Sequence, residues 1–302
     1  MTRTPGVLVL TTALGAFACG GADGGASDGG VDAAVPPPPG PACASGGEPT
    51  ARFTVVPEPG AAMRIGSQAG GHVASGAMPR LLATLVTEGS CRFVGPRPAL
   101  CEPGCTDGTV CDVDGVCAAF PVDLPAGVFT ITGTTPPVSL EPRAGGYYSE
   151  QAYPGWFRPD DELTLSLAGA DAVAPMTATV RGVPALTLPT TQLTATEHQP
   201  MVIRWDPIPT PTGAEVLVHF DNDHHGVSAY LECVAPAAAG MVTVPAAVLD
   251  PLIAAGETGI GTFIENAWIE VHHRVALDTP RGCAVFESYS DRFVTVDTVR
   301  AP

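Results

Sequence analysis

From residue 49 onward, apolar residues recur mostly at every second position, in short runs cut by glycine and proline. That is the period of a half-buried strand. The segment "ELTLSLAG" (162–169) alternates cleanly, with Leu163, Leu165 and Leu167 on one face and Thr164 and Ser166 on the other. The runs "ARFTVV" (51–56), "RLLATLVT" (80–87), "GVFTIT" (127–132), "MTATVR", "MVIRW", "EVLVHF", "SAYLECV", "AWIEVHHRV" and "CAVFESYSDRFVTV" predict further strands. One segment, "VPAAVLDPLIAAG", predicts a helix near 245–255. Val248, Leu249, Leu252 and Ile253 would form its buried face, and Pro251 keeps it short because proline removes a backbone donor. Many strands and one short helix imply an all-β protein built as an antiparallel β-sandwich.

The first residues read as an export signal. "MTRTPGVLVLTTALGAFAC" has Arg3 in a positive region and an apolar stretch from Val7 to Ala18, too short to span a bilayer. A signal peptide over 1–18 is expected. Ala16-Phe17-Ala18-Cys19 resembles the lipobox of bacterial lipoproteins. The resemblance implies that Cys19 is diacylated, becomes the new N-terminus and carries the membrane anchor; soluble export is the alternative. Gly20, rather than aspartate, resembles lipoproteins sorted to the outer membrane. Residues 19–48 follow as a flexible Gly/Asp/Ser tether ending in a stiff proline run.

The chain has 9 cysteines, dense for a reducing cytosol and ordinary for an oxidising compartment. Without Cys19 an even number remains, able to pair completely. Five lie between Cys91 and Cys117. This stretch has little apolar material and must rely on disulfides. It resembles half of an EGF-like or trypsin-inhibitor-like knot, and it lacks the paired spacing and histidines of a zinc site. Interleaved pairing, Cys101–Cys111 and Cys105–Cys117, is expected among the three that four cysteines allow. Cys43 would then take Cys91, and Cys233 would pair with Cys283.

The expected organisation after the tether is a β-rich region over 49–140, with the cysteine-rich insertion at 91–117, and a β-sandwich domain over 141–302. "MVIRWDPIPTPTGAEVLVHF" resembles the early strands of immunoglobulin-like and fibronectin type III domains, which implies that Trp205 is a core tryptophan. The order of tether, cysteine-rich loop and sandwich resembles uncharacterised Gram-negative surface lipoproteins.

Charge and missing motifs narrow the function. A net charge of −17 excludes nucleic acid and electrostatic docking on anionic lipid. All 14 basic residues are arginine, so Schiff-base, phosphate-loop-lysine and Ser-Lys chemistry are impossible. No nucleophile elbow, H-E-x-x-H or phosphate loop occurs, and "GETGIGTF" lacks a dinucleotide-binding context. The neighbours Asp160 and Asp161 sit in a turn, not in a catalytic geometry. The expectation is a non-enzymatic envelope protein with a binding or structural role, no cofactor, and an envelope protein or glycan as ligand. The membrane contact would be made by the N-terminal lipid alone.

Five of the 7 histidines lie in "HFDNDHHG" (219–226) and "EVHHRV" (270–275). Strand alternation puts Val216, Val218 and Phe220 in the core and His219 and Asp221 on the opposite face. It puts Ile269, Val271, His273 and Val275 in the core and Glu270, His272 and Arg274 opposite. If the two strands are neighbours in one sheet, His219 and His272 could share a zinc ion, with Asp221 or Glu270 as a further ligand. Their ring nitrogens would then lie within about 4.5 Å. The competing expectation is a hairpin turn, since "DNDHHG" is rich in turn formers. A calcium loop using Asp221, Asp223 and Glu232 is disfavoured, because His225 replaces an oxygen ligand and the flanks read as strands.

Overall fold

The computed structural model describes Cys43 and residues 49–57, 69–97, 100–143, 148–150, 155–206, 211–222, 229–256, 263–264 and 266–300. The expected signal peptide, Cys19, and the tether apart from Cys43 lie outside the described residues, as do Asp223, His224 and His225.

The protein is all-β. Its strands are β1 (Ala51–Val55), β2 (Ala69–Val73), β3 (Leu82–Glu88), β4 (Cys91–Pro96), β5 (Thr109–Cys111), β6 (Cys117–Ala119), β7 (Phe129–Thr132), β8 (Val138–Leu140), β9 (Tyr148–Glu150) and β10 (Glu162–Leu167). The series continues with β11 (Met176–Arg181), β12 (Gln192–Thr196), β13 (Met201–Arg204), β14 (Glu215–Asp221), β15 (Tyr230–Pro236), β16 (Met241–Val244), β17 (Phe263–Ile264), β18 (Asn266–Thr279), β19 (Gly282–Phe293) and β20 (Thr295–Val299). Among the described residues one α-helix, α1 (Ala246–Gly256), buries Val248, Leu249, Leu252 and Ile253 and contains Pro251.

A 9-stranded sheet organises everything else, in the order β3-β4-β15-β14-β18-β19-β1-β2-β9. Its pairings are antiparallel except that β1 runs parallel to β19. Strands β1 to β4 and strands β14, β15, β18 and β19 therefore share one hydrogen-bonded ladder. Backbone pairing thus runs across residue 140, where the expected organisation placed a boundary.

One face of this sheet carries two apolar cores. The long strands β18 and β19 reach both. Over β14, β15 and the first half of β18, Val216, Val218, Phe220, Leu231, Ile269 and Val271 pack against α1 and against Ile203 and Val244 of the β13–β16 pair. Trp205 is buried there, and its indole N–H donates to the Ala237 carbonyl at 2.7 Å. Further along, Phe53 and Phe286 pack against the four-stranded sheet β11-β10-β7-β8, which gives a β-sandwich. Ring centroids of Phe53 and Phe129 lie 4.6 Å apart. Leu163, Leu165 and Leu167 of β10 all face this core, as alternation requires. Where the core face turns polar, the buried Ser288 and Ser290 hydroxyls accept hydrogen bonds from the backbone N–H groups of Val183 and Leu186. That satisfies a segment outside any ladder.

All eight cysteines other than Cys19 are in disulfides. Cys101 pairs with Cys111 and Cys105 with Cys117, bracing the small β5–β6 hairpin. The other two bridges correct the expected pairs. Cys91 bonds Cys233, which sits directly opposite it on β15, and Cys43 bonds Cys283. Sheet order explains the correction. Cys233 on β15 and Cys283 on β19 are separated by β14 and β18, three inter-strand steps of about 4.8 Å each, whereas a disulfide spans at most about 7 Å between Cα atoms.

Candidate functional site

The polar face of the main sheet holds the residues singled out in the two histidine stretches. Strands β14 and β15 form an antiparallel hairpin whose last pair is Asp221 and Tyr230. The expected turn residues that follow, 223–226, lie outside the described residues.

Strands β14 and β18 are neighbours, and His219, Asp221, Glu270 and His272 share the polar face. Register nonetheless separates the two histidines: His219 stands opposite Trp268, and His272 stands opposite Glu215. Four residues of offset amount to about 13 Å along the strands. This corrects the expected zinc site, since His219, Asp221, Glu270 and His272 cannot converge on one ion. Among the described residues, the one group of three potential ligands drawn close together is Cys101, Cys105 and Cys117, all locked in disulfides and so without thiolates to offer. The calcium reading also loses Glu232, which is engaged elsewhere.

Two separate clusters replace the expected site. In the first, the His219 ring lies between Trp268 and Tyr230. Its Nδ1 is 3.1 Å from Glu232 Oε1 and its Nε2 is 3.4 Å from Asp221 Oδ2. Arg92 donates to the other Glu232 oxygen from Nε at 2.9 Å and from a terminal nitrogen at 2.6 Å. Burial pushes the His219 pKa down, but the hydrogen bonds to Asp221 and Glu232 outweigh it, so the net shift is upward. Burial likewise opposes ionisation of Glu232, yet His219 and Arg92 hold its pKa below the ordinary value. In this cluster the imidazole, both carboxylates and the Arg92 guanidinium are held against one another.

The second cluster is open. His272 Nδ1 lies 2.9 Å from Glu270 Oε1, with the two side chains 2% and 1% exposed. The Nε2 atom of His272 is buried and makes no hydrogen bond. Glu270 and His272 lie on the face away from the apolar core, as alternation requires, and both are nonetheless buried. Beside them, buried Glu287 accepts a hydrogen bond from Arg274 Nε at 3.0 Å and lies 3.6 Å from Arg52 Nε. A cavity of about 600 Å³ opens over this face, lined in part by Arg52, Arg92, Glu215, Glu232, His272 and Arg274. Sequence reading missed the cavity because Arg52, Arg92 and Glu215 come from three strands distant in the chain. His273, on the core face, accepts a hydrogen bond from the Arg181 backbone N–H at 3.1 Å. Its pKa is lowered by burial and by the Arg181 charge.

A third feature is apolar and exposed. The strand pair β5–β6 and the segment before β3 are bound together: Val113 N–H donates to the Arg80 carbonyl, Ser75 N–H to the Val122 carbonyl, and Arg80 pairs with Asp112 and Asp114. Around this joint Met78, Leu81, Leu85, Leu100, Val116, Phe120 and Val122 are exposed, Leu100 by 81%.

No protein-family model matches this chain, and no curated protein matches it. Among solved structures the chain is similar to the crystal structure of the chicken CNTN1 FN1–FN3 domains, at 11% sequence identity and a TM-score of 0.19. The likeness covers 70% of this chain and spans 66% of the length of that one. The fold described above rests on its own ladders and cores.

Proposed function

We propose that this chain is an exported, lipid-anchored protein of the bacterial outer membrane, and that its disulfide-braced body is a non-enzymatic module that binds another envelope protein through the cysteine-rich hairpin. The observation carrying this reading is the concentration of exposed apolar side chains there. Of the 11 large apolar residues exposed among the described residues, seven lie between Met78 and Val122. Solvated apolar side chains gathered in one region mark interaction surfaces. Two disulfides hold the hairpin rigid, so little ordering entropy opposes binding. Exposed Glu102 and Asp107 lie in the same stretch and suit a partner with a basic rim.

Export is supported by the complete pairing of eight cysteines, which needs an oxidising compartment. The lipid anchor rests on Cys19 and its lipobox-like context. Leu100→Ser combined with Phe120→Ser tests the binding surface. The folded body and all four disulfides should survive, because both side chains are solvated, while association with the envelope partner falls at least tenfold. Unchanged association in a correctly folded double variant rejects the hairpin as the docking surface.

A further inference from the structure

We propose that His272 and Glu215 form a two-ligand site for a borderline divalent cation, copper(II) or zinc(II), at the floor of the cavity on the polar face of the main sheet. This site is independent of the apolar hairpin and differs from a His219–His272 centre, which the strand register forbids.

The ring of His272 is already oriented as a metal ligand's would be. Metal-binding histidines commonly donate the other ring N–H to a carboxylate, which fixes the tautomer and raises ligand basicity. Here Glu270, itself 1% exposed, sits 2.9 Å from Nδ1. With the proton on Nδ1, the lone pair is on Nε2. That atom is buried without a hydrogen bond, in a residue that lines the cavity. Buried polar atoms left without partners are uncommon enough to require a reason.

Glu215 supplies the second ligand. It stands directly opposite His272 in the β14–β18 ladder, and its Oε2 lies 3.7 Å from Nε2. A hydrogen bond would close that gap to about 3 Å. Two metal–ligand bonds of about 2.1 Å span it with an angle of roughly 120° at the ion. The Glu215 side chain is 51% exposed, so it can adjust and leave a path for the ion. One imidazole nitrogen and one carboxylate oxygen favour copper or zinc over calcium or magnesium, which prefer oxygen ligands throughout.

Three arginines line the cavity, and each is set against a carboxylate: Arg52 and Arg274 on Glu287, and Arg92 on Glu232. Arg274 follows His272 on the same face, but its Nε is held by Glu287 at 3.0 Å. The chain as a whole carries −17. Two protein ligands leave the remaining coordination positions facing the cavity, open to water or to an oxygen-bearing ligand.

Copper(II) titration of the intact exported protein, followed by calorimetry and electron paramagnetic resonance, tests the site. The expected result is one equivalent bound with one nitrogen in the coordination sphere. Glu215→Gln and His272→Ala should each lower affinity at least tenfold, and Glu270→Gln by about 10- to 100-fold through loss of orientation. A variant with His224→Ala and His225→Ala should bind as the unaltered chain does. Absence of stoichiometric binding overturns the proposal. So does loss of binding in the His224/His225 variant, or unchanged affinity in Glu215→Gln. Because Glu215 is half exposed, that variant decides the matter even if His272→Ala does not fold.

Discussion

His219 lies against Trp268 at directly opposed positions of β14 and β18, with ring centroids 3.8 Å apart and planes 18° from parallel. Tyr230 flanks the other side of the imidazole at 5.0 Å. A charged imidazolium is well placed there, because aromatic faces attract cations and Asp221 and Glu232 supply the counter-charge.

Stability should therefore depend on pH in a defined way. The His219 pKa is raised in the folded protein above its ordinary 6.5, so its contribution is complete below pH 6.5 and is lost as pH rises through the folded value. The Glu232 pKa is lowered below 4.5, so its contribution is complete above pH 4.5 and is lost as pH falls through the folded value. Urea unfolding midpoints should be highest between these limits and decline on the alkaline side. His219→Phe keeps the stack and should flatten the alkaline decline. An equally steep decline in that variant would place the titrating group elsewhere.

Non-reducing peptide mapping should recover a peptide joining Cys91 to Cys233 and another joining Cys43 to Cys283. Replacing Cys91 and Cys233 by alanine should cost about 2–4 kcal/mol of stability. Recovery of a Cys233–Cys283 peptide instead would contradict the sheet order, because β14 and β18 lie between those residues.

Gly71 on β2 has no room for a side chain. A Cβ there would sit 2.2 Å from the Arg52 carbonyl oxygen and 2.5 Å from Phe53 Cδ1. Gly71→Ala should destabilise the protein by about 1–3 kcal/mol, since both neighbours belong to the packed strand β1. A thermal midpoint unchanged by the substitution would mean that β2 does not pair closely with β1.

Strands with clean alternation were legible in the sequence. Leu163, Leu165 and Leu167 announced β10, and Val216, Val218 and Phe220 announced the core face of β14. Helix α1 was legible from Val248, Leu249, Leu252 and Ile253 despite Pro251. Strand β2 was not, because "AGGHV" has neither β-branched bulk nor strict alternation; the close approach of β1 demands glycine at position 71. The parallel pairing of β1 with β19 joins residues more than 200 positions apart and leaves no local signal. The same holds for the functional face. Alternation assigned His219 and His272 to one face correctly, but the four-residue offset depends on strand register, which periodicity does not encode. The exposed apolar side chains around the hairpin carried no signal either, since buried and solvated leucines look alike in a sequence.

The proposed anchor makes a plain prediction. Cys19→Ala should release the protein from the membrane fraction and abolish labelling by a fatty-acid analogue, without altering the four disulfides of the body. Continued partitioning with membranes, with processing still after Ala18, removes Cys19 from the account.

The most direct test of the central claim is site-specific photo-crosslinking in intact cells. A photoreactive residue is placed in turn at Phe120 on the hairpin and at Val202, an exposed apolar position on β13. The account predicts a discrete protein adduct from position 120, absent from position 202 and lost when Leu100→Ser is added. No adduct at 120, or the same adduct from both positions, would contradict it.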